Sequence, residues 1–245
     1  VRHCERNRFR FAVLDAAPGL TSLSDQRLDP RSVIDSSYAA FYYPWYYTRH
    51  PRTGVNVLVP PGGAVCGIYA ATDGTRGVWK APANVVINGA LELEVDVNTP
   101  MQEVLNPRGV NCIRRFDGRG IRVWGSRTLA TDPDWKYVPV RRLFLFLEAS
   151  IYRSTEWVVF EPNGEALWAR VKESIEVFLR DQWRAGALQG EKEEDAFFVS
   201  VGRDLTMTQD DILNGRLVVE IGVAAVKPAE FVIFRIGQKT ADAGR

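Results

Sequence analysis

Six of the nine residues from Ala39 to Tyr47 are aromatic, and Pro44 stands in the middle of them. Proline lacks an amide hydrogen and its ring collides with the preceding helical turn, so no helix can cross this stretch. Aromatic side chains also suit the half-buried surface of a pleated strand. Residues 39–47 therefore read as strand. The same reading holds for residues 9–15, a β-rich run that ends in Ala16-Ala-Pro-Gly19, and for residues 55–59, which stop at Pro60-Pro-Gly-Gly63.

Downstream, small residues mixed with Val and Ile at helical spacing predict a short helix over 64–73, packed closely on a sheet, and then a loop over 74–84. Residues 113–116 and 121–124 bracket Asp117-Gly-Arg-Gly120, a tight connection between two strands. Val140, Leu143, Leu147 and Ile151 fall on one helical stripe, which predicts a helix over 140–152 followed by a strand over 157–160. The strongest helix is 165–188, with Leu167, Trp168, Val171, Ile175, Phe178 and Leu179 on its apolar face. Residues 197–201, 217–226 and 231–236 read as strands. Helices and strands mixed throughout imply an α/β or α+β layered domain. Residues 91–106 break the rhythm and read as a small excursion from it.

Charge and cysteine usage narrow the partners. With 31 Lys+Arg against 30 Asp+Glu, the chain lacks the broad positive field of a sequence-independent nucleic-acid binder. Its longest apolar runs fall well short of the roughly 20 residues that span a bilayer, so neither nucleic acid nor membrane insertion is expected. Cys4, Cys66 and Cys112 are odd in number and widely spaced, and read as reduced, mostly buried residues of a cytosolic protein. The chain opens on Val1 without a signal-peptide pattern, and reads as the interior of a longer protein.

Reactive groups are sparse. His3 and His50 have no evident partner in the sequence. Asp15, at a strand end, is the best candidate acid, because carboxylates there often hold a metal or take a phosphoryl group in α/β enzymes. The more ordinary reading is a turn residue that bonds nearby backbone amides before Pro18-Gly19. Gly118-Arg-Gly120 lacks the third glycine of a dinucleotide loop, and Gly62-Gly63 lacks the cation of a phosphate cradle. The run Asp210-Asp-Ile-Leu-Asn-Gly215 fits a capped helix better than a calcium loop, with Thr208 as cap, Asp211 at the third position and Asn214-Gly215 as the stop. No cofactor, metal or catalytic residue is expected.

Several longer motifs carry a resemblance. Arg76-Gly-Val-Trp-Lys-Ala-Pro-Ala-Asn84, Gly109-Val-Asn-Cys-Ile-Arg-Arg-Phe116, Gly118-Arg-Gly-Ile-Arg-Val-Trp-Gly125 and Tyr137-Val-Pro-Val-Arg-Arg142 are similar to the contractile tail sheath family. Phe160-Glu-Pro-Asn163, Thr206-Met-Thr-Gln-Asp-Asp-Ile212, Asn214-Gly-Arg-Leu217 and Lys227-Pro-Ala-Glu-Phe231 continue it. The resemblance runs from about residue 9 to residue 236. Asp117, Ser126 and Ala225 depart from the residues common in the family.

The resemblance implies a mixed α+β sheath core domain over 1–226, an extended C-terminal β-strand arm with a polar tail over 227–245, and a missing N-terminal arm. It implies a non-enzymatic subunit of a phage tail or tail-like particle, assembled in the bacterial cytoplasm. Such a subunit polymerises with itself, in stacked sixfold rings, around an inner tube, between a baseplate and a tail-end cap. Contraction then drives the tube through a target envelope. Phe231, Val232, Ile233, Phe234, Arg235 and Ile236 are the expected intersubunit strand, since both of its faces carry apolar side chains. Tube contact is expected from a short polar helix, with Asp210 and Asp211 or Arg180 and Arg184 as candidates. An α/β enzyme using Asp15 and a non-contractile scaffold with the same domain stay open as alternatives.

Overall fold

Pro44 divides the aromatic segment between two sheets. The computed structural model describes residues 1–7 and 9–231. In it a short helix α1 (Arg2–Asn7) precedes β1 (Ala12–Asp15), β2 (Ala39–Tyr43), β3 (Tyr46–Arg49) and β4 (Asn56–Val59). Then come α2 (Gly62–Arg76), β5 (Val85–Val86), β6 (Ala90–Leu93), α3 (Thr99–Leu105), β7 (Val110–Phe116) and β8 (Gly120–Trp124). The last part contains α4 (Val138–Ser154), α5 (Glu165–Arg184), α6 (Glu193–Ala196), β9 (Phe197–Ser200), α7 (Gln209–Leu213) and β10 (Glu220–Val223).

Sheet order explains the aromatic run. A five-stranded sheet runs β1-β2-β7-β8-β5, with β1, β2 and β7 parallel and the β7–β8 pair antiparallel. The Tyr43–Pro44 peptide is cis, and beyond it β3 pairs antiparallel with β4 and β6 in a separate three-stranded sheet. Every residue of β2 is buried, because this inner strand is covered on both faces. Ala40 and Tyr42 pack with Val65, Ile68 and Tyr69 of α2, while Ala39, Phe41 and Tyr43 pack with Leu20, Leu28 and Leu129 on the opposite face. Alternate side chains of a strand point to opposite sides, so one short segment serves both layers.

The segment 91–106 supplies most of β6 and all of α3, and its Val97 and Leu105 are buried in the layer that holds Ala39 and Val110. A third cluster lies around α5. Leu167, Trp168, Val171, Ile175 and Leu179 of that helix meet Leu143 and Leu147 of α4, and Phe197 and Val199 of β9. Helix α4 links the two regions: Val138 at its start belongs to the α2 layer, and Leu143 and Leu147 to the α5 cluster. Its Arg142 holds Asp73 of α2 through two bonds of 2.5 and 3.0 Å.

Several boundaries differ from expectation. Helix α2 runs on to Arg76 and stops at Gly77, whose φ is +94° and where a Cβ would lie 2.4 Å from the Trp79 ring. Residues 157–160 are not a strand. α4 closes at Thr155, a 3-10 turn covers Glu156–Val158, and α5 begins again at Glu165, which leaves no room for a paired strand. Phe160 is 102% exposed there, with φ at +71°. Of residues 217–226 only Glu220–Val223 forms a strand, antiparallel to β9, while Ala225 makes an isolated antiparallel bridge to Leu188. Cys4 and Cys112 are buried, but Cys66 is exposed on α2. Of the expected arm, Phe231 is described and 68% exposed; Val232, Ile233, Phe234, Arg235 and Ile236 lie outside the described residues.

Candidate assembly surface

The reactive groups singled out in the sequence are used structurally. His3 bonds Asn7 (3.2 Å) and Arg10 beside it. His50 Nδ1 accepts from the backbone amides of Arg52 and Thr53, both at 3.3 Å. Asp15 does not bond the turn at Pro18-Gly19; its Oδ1 accepts from the Gly62 amide at 2.7 Å and so caps the start of α2. Burial raises its pKa and the Gly62 bond opposes that rise. A Cβ at 62 would lie 2.7 Å from the Asp15 Oδ2, so any larger residue there would push the carboxylate out of its bond to the Gly62 amide. Among the described residues no three His, Cys, Asp or Glu side chains come together as a metal site, and no helix is long and apolar enough to cross a membrane.

The candidate tube-contact residues are partly engaged within the chain. Thr208 and Asp211 form the expected capping box: the Asp211 amide donates to Thr208 Oγ1 (3.2 Å) and the Thr208 amide donates to Asp211 Oδ2 (2.9 Å). Arg216 reaches Asp211 at 3.0 Å and Asp210 at 3.4 Å. Arg180 holds Glu193 through two bonds of 2.7 Å, which raises the arginine pKa and lowers that of the glutamate. Asp210 and Arg184 are exposed.

Next to α4 and α5 lies a largely apolar groove of about 1100 Å³. Leu147, Ile151, Val171 and Ile175 come from the helices, and Leu217, Val219, Ile221 and Val223 line it at alternate positions along and before β10. Phe9, Tyr152, Val159 and Phe160 also border it. Strand β10 pairs with β9 on one side, and among the described residues no strand pairs with its other edge. The Ala224 amide donates to the Ala196 carbonyl at 2.8 Å, which fixes the phase of the ladder. Residues of an antiparallel pair alternate between facing the partner and facing away. Glu220 and Gly222 therefore face β9, and the N–H and C=O groups of Ile221 and Val223 face the other edge. An edge that no described strand pairs, over an apolar groove, can accept one more strand.

The chain leaving β10 is held where sequence reasoning gave no partner. After the Val226 amide donates to Ala187 (3.2 Å), residues 227–230 cross to the five-stranded sheet region. Lys227 reaches Asp134 at 3.1 Å. Glu230 accepts from Arg127 Nε at 2.7 Å and Nη2 at 2.8 Å, from Asn106 Nδ2 at 3.1 Å and from the Tyr137 hydroxyl at 3.1 Å, with Lys136 Nζ 3.4 Å away. Burial would raise the Glu230 pKa, but these hydrogen bonds and charges outweigh it and hold it down at about 2. The Glu230 and Arg127 side chains are only 18% and 9% exposed. Both residues stand in or beside motifs visible in the sequence, but 103 positions separate them, and no local spacing rule joins groups so far apart.

Fold and surface together define a mixed α+β structural module whose last described segment is clamped to its five-stranded sheet region. Residues 1–129 match the model of the phage tail sheath protein central domain, and residues 130–239 that of the phage tail sheath C-terminal domain. The chain belongs to the phage tail sheath family. It is 44% identical to a chain in the contracted helical sheath of the anti-feeding prophage, with a TM-score of 0.82, covering 94% of this chain and 61% of that one. It is 41% identical to a chain of the contracted PVC sheath, an extracellular contractile injection system, with a TM-score of 0.86, covering 94% of this chain and 64% of that one. The tail sheath protein of Vibrio phage KVP40 is 30% identical over 152 residues, which are 60% of this chain and 22% of that protein. The chain thus spans about a fifth of that relative and under two thirds of the two injection-system chains.

Proposed function

We propose that the chain is a structural subunit of a contractile tail sheath, polymerising helically around an inner tube and contracting to drive that tube through a target envelope. The observation that carries this reading is the outer β10 edge, which no strand pairs among the described residues, with the Ile221 and Val223 backbone groups facing it beside an apolar groove of about 1100 Å³. A strand from a neighbouring subunit, residues 231–236, fits that edge. It offers several ladder bonds worth about 0.5–1.5 kcal/mol net each, and apolar side chains worth roughly 1.5–3 kcal/mol apiece when buried. Such links hold subunits together while weaker surface contacts rearrange during contraction.

The partners follow from the same reading. Copies of the chain stack in rings, and a six-fold symmetrised baseplate of the anti-feeding prophage contains a chain 43% identical to this one, with a TM-score of 0.84. Tube contact is assigned to α7 or to the charged face of α5: Asp210 and Arg184 are exposed, while Arg216 pairs with Asp210 and Asp211 and Arg180 pairs with Glu193. Sheath and tube must separate after firing, which favours a small polar contact of this kind over a large apolar one. A baseplate and a tail-end cap close the two ends.

The test is the full chain with and without residues 232–245, followed by electron microscopy and thermal melting. Helical polymers from the full chain, and a normally melting but unassembled truncated chain, are expected. Polymers from the truncated chain at the same concentration would overturn the donated-strand reading.

A further inference from the structure

We infer that the Glu230–Arg127 pair is the anchor of the C-terminal arm, fixing where the arm leaves its own subunit and how far it reaches toward the next. The inference rests on the reading of residues 231–236 as a donated strand.

Arg127 is itself immobilised by the sheet. Its backbone amide donates to Asn111 Oδ1 at 2.7 Å, and Asn111 Nδ2 returns a bond to the Arg127 carbonyl at 2.8 Å and a second to the Phe41 carbonyl at 3.2 Å. Arg127 Nη1 also donates to the Asn106 carbonyl at 3.0 Å. Asn111 is fully buried on β7 and Phe41 lies on the neighbouring β2. A continuous chain of hydrogen bonds thus runs from two inner strands through Arg127 to the Glu230 carboxylate. Phe231, the next residue, is exposed. The transition from clamped to exposed falls within one residue.

The arrangement is stiffer than a surface ion pair. Arginine meets carboxylate through two parallel bonds, a geometry that fixes direction as well as distance. Asn106, Tyr137 and Lys136 occupy the remaining sites on the two oxygens, so rotating the carboxylate breaks several bonds at once. Without the clamp, the nearest backbone tether is the Val226 amide on Ala187. Residues 227–230 would then be freed, adding about 13–14 Å of reach at the root of the arm. A longer, looser tether lowers the effective concentration of the strand at its acceptor and widens the choice of neighbours it can reach.

The experiment uses the full chain carrying Glu230→Gln, which keeps side-chain size and removes the charge. In the unassembled protein, the backbone 15N order parameters of Ala229 and Glu230 should fall from about 0.85 to below about 0.6, with β9, β10 and α5 unchanged. Assembly should then need about 10-fold more protein, or give irregular polymers. A Lys136→Ala, Tyr137→Phe double variant, which strips the outer partners and leaves Arg127 paired, should shift both readouts in the same direction by less, and stands in if Glu230→Gln does not fold. Unchanged order parameters at Ala229 and Glu230, or lowered ones with regular assembly at the wild-type concentration, would overturn the anchor. Normal assembly by the chain lacking residues 232–245 would instead sink the donated-strand reading, so the two failures are told apart.

Discussion

Replacing Val223 by proline removes one backbone N–H that points away from β9 and leaves the intrachain ladder in place. Gly222 and Ala224 keep the bonds that face β9, and proline is tolerated where its missing donor lies on an edge. Val223→Ala is the matched control, because it shortens the side chain and keeps the amide. The difference between the two variants isolates the donor. If a neighbour's strand pairs there, its carbonyl is left buried without a partner, at a cost of about 1–3 kcal/mol, or roughly 5- to 150-fold in an association constant. The assay is sedimentation of polymers across a concentration series, with urea unfolding of the unassembled proteins as the check on folding. Val223→Pro should need that much more protein than Val223→Ala, with the two monomers unfolding within about 1 kcal/mol of each other. Gly222→Pro should instead disrupt the monomer, since it removes a donor to β9 and a Cβ there would lie 2.1 Å from the Phe198 ring. Equal assembly of Val223→Pro and Val223→Ala would refute the free-edge argument.

Three further outcomes follow. The Glu230 carboxyl is held at about 2 when folded, below its usual 4.5, so its stabilisation is complete above about pH 5 and fades as the pH falls toward 2. The difference corresponds to about 3 kcal/mol, screened by water to about 1–2; urea titrations of wild type and Glu230→Gln should converge by that amount between pH 6 and roughly pH 2, and parallel curves would contradict it. Gly62→Ala places a methyl 2.7 Å from Asp15 Oδ2 and should cost about 1–3 kcal/mol, read as a lower melting temperature; an unchanged value would show that the cap is unimportant. Charge reversal at Asp210 and at Arg184 should each weaken co-sedimentation of sheath with tube without lowering the melting temperature, and full tube binding by both would remove these residues from the contact.

What could be read from the sequence was whatever local chemistry decides. Pro44 excluded a helix across residues 39–47, although that stretch read as one strand and is two, β2 and β3; the apolar stripe of α5 was plain from Leu167 to Leu179, and Thr208 with Asp211 announced the cap of α7. Errors arose where tertiary context decides. Gly74 read as a helix end, yet one glycine inside a helix costs only about 1 kcal/mol, and α2 continues to Gly77. Residues 157–160 have strand-like composition but lie in the short gap between two helices. The two-residue β5 carries too little pattern to detect. The anchor was illegible because its chemistry depends on residues 106, 127, 136, 137 and 230 meeting in space.

The central claim is that residues 231–236 of one subunit complete the sheet of another. A cryo-electron microscopy map of sheaths assembled from the full chain tests it most directly. The account predicts continuous density from Glu230, clamped on its own Arg127, to a strand lying beside Ile221 and Val223 of a neighbouring subunit. Density that places the strand beside β10 of its own subunit, or away from any β10 edge, would contradict it.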